Sequence, residues 1–185
     1  MHHPLPPAPG VRRRAPLTHA LLYALLAGGA AASSAQGWKD DAPAWQEDAV
    51  TAAPAFDTAR LVRFQLSTAS ELVYGIDPAT LTVGQDGVIR YVMVARSPSG
   101  AVNALYDGLR CKTAEVKTYA RWTPGADAQG GSWRPVEGAE WRSIYHHHGS
   151  RAALVLARGG LCDGPTPNAP VSRMLRDLRQ GGTDR

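Results

Sequence analysis

Residues 81–122, LTVGQDGVIRYVMVARSPSGAVNALYDGLRCKTAEVKTYARW, decide the fold. Strand patterning, turn chemistry and a cysteine agree along this stretch. Asp86-Gly87, set between β-branched residues, predicts a short hairpin, because glycine tolerates a positive φ. Residues 88–96 (VIRYVMVAR) are apolar on two sides. Val88, Val92 and Val94 share one side with Arg90 and Arg96, and Ile89, Tyr91, Met93 and Ala95 fill the other. A strand of this kind is central and covered above and below. Ser97-Pro98-Ser99-Gly100 is the next reversal, with proline presetting φ and glycine permitting the exit. Residues 101–110 return as a strand, irregular around Gly108. Residues 115–122 then alternate, predicting Glu115, Lys117, Tyr119 and Arg121 toward solvent and Val116, Thr118, Ala120 and Trp122 toward the interior.

Working outward, RLVRFQL at 60–66 predicts a first strand with Val62, Phe64 and Leu66 on one face. ELVYGI at 71–76 is a short apolar piece stopped by Asp77-Pro78, and 80–83 lead into the meander. Residues 36–54 hold Trp38, Trp45, acids, alanines and prolines without a sustained period, which predicts an extended arm that the tryptophans pin to the core. Downstream, PGADAQGGS at 124–132 reads as a glycine-rich surface loop and 133–141 as a last extended piece. Ser150 is placed to cap a helix that ends at Gly159-Gly160, its apolar middle (152–157) packing on the sheet. Val171, Met174, Leu175 and Leu178 form the stripe of an amphipathic helix over 170–180, with Arg173, Arg176 and Arg179 off it. Strands followed by helices, with no βαβ rhythm, predict an α+β fold: an antiparallel β-meander sheet covered by two C-terminal helices.

The first thirty-five residues read as a secretory signal. Arg12, Arg13 and Arg14 form a positive region before a Leu- and Ala-rich run, and Ser33-Ser34-Ala35 offer a small-residue cleavage site. The expected organisation is a signal peptide at 1–35, an arm at 36–55 and one α+β domain at 56–185. The apolar run is short for a membrane span and is loosened by Gly28 and Gly29, so no stable span is expected once the leader is gone. All sixteen acidic residues follow Ala35, against seventeen of the twenty Lys and Arg, so the net charge falls from +4 to +1. A nearly neutral chain gives no electrostatic case for nucleic acid. Cys111 and Cys162 are the only cysteines. In an oxidising compartment they predict one disulfide, since a redox or metal pair would want CxxC spacing or a third ligand.

The chain carries no motif for a reaction. His146-His147-His148 are adjacent, so their side chains diverge instead of converging on one ion, and no metal site is expected from them beyond adventitious capture. There is no GxSxG elbow around Ser97 or Ser99, and Gly84-Gln85-Asp86-Gly87 lacks the lysine and helix start of a phosphate loop. Asp86, Asp107 and Glu115 are spread over turns and strands, where a general acid and base must meet. Tyr91, Arg96, Tyr106, Tyr119 and Arg121 offer a contact surface of the residue types that anchor partners. The same residues also suit cross-strand pairing on a half-solvated sheet. The arginine row of the last helix suits an acidic partner or simply water.

FD-x₂-RLV from Phe56, YGIDPATLTVGQDGVIRYVMVARSPSGAVNALYDGLRC from Tyr74, KTYARW, EWRSI and a late Leu-Cys-Asp-Gly resemble the cryptic neisserial protein-like family of uncharacterised bacterial proteins. The resemblance runs from about Phe56 to the last helix. It implies an exported, Gram-negative envelope protein and brings no cofactor or catalytic residue; the three histidines lie outside the shared pattern. The expectation is a periplasmic, non-catalytic binding or structural module whose envelope partner or ligand is unknown. The alternative is an envelope hydrolase assembled from scattered residues such as Asp107, Arg110 and Tyr91. Metal capture by the three histidines is a third possibility.

Overall fold

The computed structural model describes residues 44–50, 52–125 and 130–181. The signal peptide, Trp38, the middle of the 124–132 loop and Gly182 lie outside the described residues. Among the described residues no helix is long and apolar enough to cross a membrane.

The central strand is β4 (Ile89–Arg96), whose first six residues are all buried. It pairs antiparallel with β5 (Val102–Arg110) along its whole length. On its other edge β4 takes two short strands, β2 (Val73–Ile76) and β3 (Thr82–Val83), which share it end to end. β1 (Val62–Phe64) closes that side of the sheet. Beyond β5 lie β6 (Glu115–Pro124) and β7 (Gly131–Pro135), with β8 (Arg142–Ser143) beside the start of β6. The order is β1-β2-β4-β5-β6-β7, every pairing antiparallel. The two predicted reversals form as expected: Gly87 has φ 74° and Gly100 φ 91°, each donating its N–H to the carbonyl of the residue three before it.

The fold is α+β, and the two helices lie after the sheet in the chain. α1 (Arg151–Leu156) continues through a π-helical turn, Ala157–Leu161, and α2 spans Val171–Gly181. Between them β9 (Cys162–Asp163) and β10 (Thr166–Pro167) form a small ladder. The π turn is kinked at Gly160, whose φ of 138° is open to glycine alone. A Cβ there would also press into Asp177 and the backbone of α2 at 2.8 and 3.1 Å, so this glycine sets how closely the helices meet. Asn168 locks the junction by donating to the Gly160 carbonyl (3.0 Å) and to Asp177 (2.8 Å). The Val171/Met174/Leu175/Leu178 stripe faces inward, with Met174 and Leu178 buried. Cys111 and Cys162 form a disulfide that ties the end of β5 to β9.

Three expectations need correction. Ser150 is buried and its hydroxyl makes no cap bond, because a 3-10 turn (His148–Ser150) runs straight into α1 and its backbone bonds satisfy the helix start. The extended piece expected at 133–141 starts earlier, since Gly131 and Ser132 already pair with β6. The regular alternation of 115–122 fails at Tyr119. Tyr106 pairs with Ala120 but Asp107 pairs with Thr118, leaving Tyr119 as an extra residue. This β-bulge reverses the facing of everything after it.

Both sheet faces are covered. On the helix side Ile89, Tyr91, Met93, Leu109 and Val116 pack with Ala153, Leu156, Leu161, Met174 and Leu178. On the other side Val92, Val94, Ala104, Tyr106 and Ala120 pack under Ala53, Phe56 and Leu61 of the arm and the chain that follows it. Trp133 donates to the Pro54 carbonyl at 3.0 Å, and Phe56, Trp122 and Trp133 meet edge to face at 5.1–5.5 Å.

Candidate functional site

Asp107 is the buried acid of the sheet. It stands in β5 opposite Tyr91 of β4 and Thr118 of β6, on the helix side. Only 6 % of it is exposed. The Thr118 hydroxyl donates to its Oδ1 at 2.7 Å. Oδ2 has no hydrogen-bond partner among the described residues. Burial lifts its carboxyl to about 6, against the opposing pull of the Thr118 hydrogen bond and the Arg121 charge.

A cleft of about 180 Å³ opens over this carboxyl. Met93, Leu105 and Val116 form its apolar wall, and Ser150 and Ala153 close it from the helix side. Arg121, Glu140, Arg142 and His147, all exposed, stand around it. Arg121 reaches this side only because of the bulge: pairing opposite Leu105 brings it onto the same face as Thr118. Neither Arg121 nor Arg142 makes an ion pair among the described residues. Beside Asp107, the Tyr91 hydroxyl is buried without a hydrogen-bond partner. Burial, reinforced by the Asp107 charge, pushes its ionisation far above the ordinary range, so Tyr91 stays a neutral phenol.

The five contact residues expected from the sequence do not share one surface. Tyr106 and Tyr119 come together, ring centroids 5.4 Å apart, and with Lys117 they line an open groove of about 560 Å³ beside the arm. Arg121 belongs to the Asp107 cleft, and Tyr91 lies in the core on the cleft's side of the sheet. Arg96 ends β4, between Val73 and Val102. Arg110 does not join Asp107 and Tyr91. It alternates to the opposite face, where its guanidinium stacks 3.6 Å from the Trp45 ring and pairs with Glu115 at 3.3 Å. His146, His147 and His148 are exposed, and among the described residues no group of three or more His, Cys, Asp or Glu is placed to hold a metal ion. No pattern in the sequence marked Glu140, Arg142 and Ser150 as cleft residues, because they converge on Asp107 only through the path of the chain before α1.

On the arm side the polar groups are already spoken for. Glu47 accepts from the Tyr119 hydroxyl (2.6 Å) and from Lys117 (2.9 Å). Burial opposes its ionisation, but these two bonds outweigh it and hold the carboxyl below its usual range. A larger concavity of about 880 Å³, walled by Phe56, Trp122 and Trp133, carries Asp57 as its single charged residue among the described residues.

Fold and cleft define a small, disulfide-tied α+β protein with one acidic seat under its helices. A family model described as the CNP1-like family matches residues 40–179, and the chain belongs to that family. The family is uncharacterised. No curated protein and no solved structure matches the chain.

Proposed function

We propose that the protein is exported to the periplasm of a Gram-negative cell and acts there as a non-catalytic binding module of the envelope, with the Asp107 cleft as its ligand seat. One observation carries this reading: a buried carboxylate that lines a small cleft, with one oxygen fixed by Thr118 and the other without a hydrogen-bond partner among the described residues. A carboxylate held in this way accepts hydrogen bonds from a ligand, and its burial strengthens each of them. Ligand pockets combine apolar walls with a few convergent polar groups, and this cleft has that make-up. The disulfide fits an oxidising compartment and the basic-then-apolar leader fits export. Two measurements test the proposal. Intact mass of material from the periplasmic fraction should show a chain starting near Gln36 with no free thiol. Native mass spectrometry of the same material should show a small adduct that Asp107→Asn loses. A full-length cytosolic chain, or a bare mass in both proteins, overturns it.

The hydrolase reading has one arrangement in its favour: Asp107, its carboxyl pushed up by burial to about 6, shares a cleft with Ser150. It predicts that a fluorophosphonate labels the protein and that Ser150→Ala abolishes the labelling.

A further inference from the structure

We infer that the Asp107 cleft selects a small zwitterion of the α-amino acid class, its ammonium seated on Asp107 Oδ2 and its carboxylate held at Arg121. This rests on the binding reading above and adds the chemistry of the ligand.

Size comes first. A cleft of about 180 Å³ lies below the roughly 300 Å³ at which pockets for drug-sized molecules begin. It has room for a few heavy atoms beside the apolar wall of Met93, Leu105 and Val116.

Charge decides the rest. An ionised carboxylate is acceptor-only. The one donor on Asp107 is the Thr118 hydroxyl on Oδ1, so Oδ2 calls for a donor from the ligand. A buried carboxylate gains most from a donor that is also a cation, because pairing offsets the cost of keeping the charge out of water. A plain cation, however, would have to pass Arg121 and Arg142, two exposed guanidiniums with no ion pair among the described residues. A plain anion would be welcome there, since the guanidinium fork matches a carboxylate in a bidentate way. Once inside it would meet Asp107. Glu140 subtracts from the positive potential, but it is exposed and therefore screened, and the two arginines outnumber it. Only a ligand with both charges a few bonds apart satisfies seat and mouth together. The bulge at Tyr119 is what makes this possible, because without it Arg121 would point to the arm side of the sheet.

The test is heteronuclear NMR on the isotope-labelled exported protein, titrated with glycine, ethylamine and acetate as the whole ligand and its two halves. The amides of Asp107, Thr118, Arg121 and Ser150 are the reporters. Glycine should saturate them at a concentration about tenfold lower than either half. Asp107→Asn keeps the oxygen that accepts from Thr118 and removes the charge; it should weaken glycine to the level of acetate. Arg121→Ala, an exposed substitution, should weaken glycine to the level of ethylamine. A dispersed spectrum checks that both variants fold. If ethylamine or acetate binds as tightly as glycine, the ligand is a simple ion: the zwitterion inference falls and the binding reading survives. If Asp107→Asn leaves glycine binding unchanged, or none of the three probes moves the reporters, the inference is overturned. The native-mass adduct then decides separately whether the binding reading falls with it.

Discussion

Asp48 and Asp86 each accept the other's backbone N–H: Asp48 N donates to Asp86 Oδ2 at 2.9 Å, and Asp86 N donates to Asp48 Oδ2 at 3.1 Å. This reciprocal pair clasps the arm to the hairpin between β3 and β4, and Trp45 adds a third bond to the Asp86 carbonyl at 2.9 Å. Asp48→Ala removes one acceptor and leaves the Asp86 N–H without a partner in a half-buried setting. The expected loss is about 1–2 kcal/mol in urea unfolding, together with new protease cuts between Trp45 and Phe56. Asp48→Asn, which keeps an acceptor oxygen, should recover most of it. Unchanged proteolysis in the alanine variant would mean that the aromatic contacts alone hold the arm.

Asp86 does more than clasp the arm. Both its oxygens meet the Arg90 guanidinium, at 3.2 and 2.6 Å, and Val88 N donates to it at 3.0 Å. The side chains of the pair are 0 % and 8 % exposed. Asp86→Ala would strand Arg90, whose Nε already lacks a partner, inside the protein. Stranding a buried charge costs on the order of 3–5 kcal/mol. Arg60→Ala breaks an ion pair of similar length that is open to water, and should leave the urea midpoint where it is. Equal effects of the two substitutions would contradict this assignment of burial.

Gly108 is small for a reason visible in its neighbour. A Cβ there would come within 2.8 Å of the Tyr119 ring, which the bulge lays across β5. Gly108→Ala must push the ring aside and break its bond to Glu47. Overpacking of this kind costs about 1–3 kcal/mol. In a double-mutant cycle the cost should largely vanish on a Tyr119→Ala background. A cost that persists there would point to backbone strain instead of the ring.

The irregularity that Gly108 signals in the sequence is thus the bulge itself, seen from the opposite strand. This marks the limit of what patterning conveys. β4 was legible because both its faces are buried, so its run of apolar residues carries through regardless of register. The amphipathic stripe of α2 and the two glycine turns were legible for similarly local reasons. The cleft was not. It depends on one extra residue in β6, which moves Arg121 across the sheet, and on residues 136–153 folding back over Asp107. Neither leaves a period in the sequence. The arm was legible only in outline: its tryptophans pointed to the core, but without a repeat nothing marked Glu47 and Asp48 as its contribution to the polar network over the second face.

Asp107 gives the sharpest pH prediction. Its carboxyl is raised in the folded protein from 3.8 to about 6, chiefly by burial. Protonation therefore favours the folded state. The stabilisation is fully present below the ordinary carboxyl range and is lost as pH rises through about 6. A rise of that size corresponds to about 3 kcal/mol once the group is ionised. The groups facing it are Tyr91 from β4, Thr118 and Arg121 from β6, and Glu140, Arg142 and His147 from the segment before α1. Glu47 and Asp86, held below their usual range, act in the opposite sense and lose stability as pH falls. They are common to both proteins, so the comparison with Asp107→Asn isolates the buried carboxyl. The variant should match the wild type near about pH 4 and exceed it near about pH 8, the gap opening between those limits in urea unfolding. A gap that does not change with pH would show that the carboxylate is fully satisfied inside the fold. The predicted gap, by contrast, means that the wild type keeps a destabilising charge at the floor of a cleft, as functional sites characteristically do.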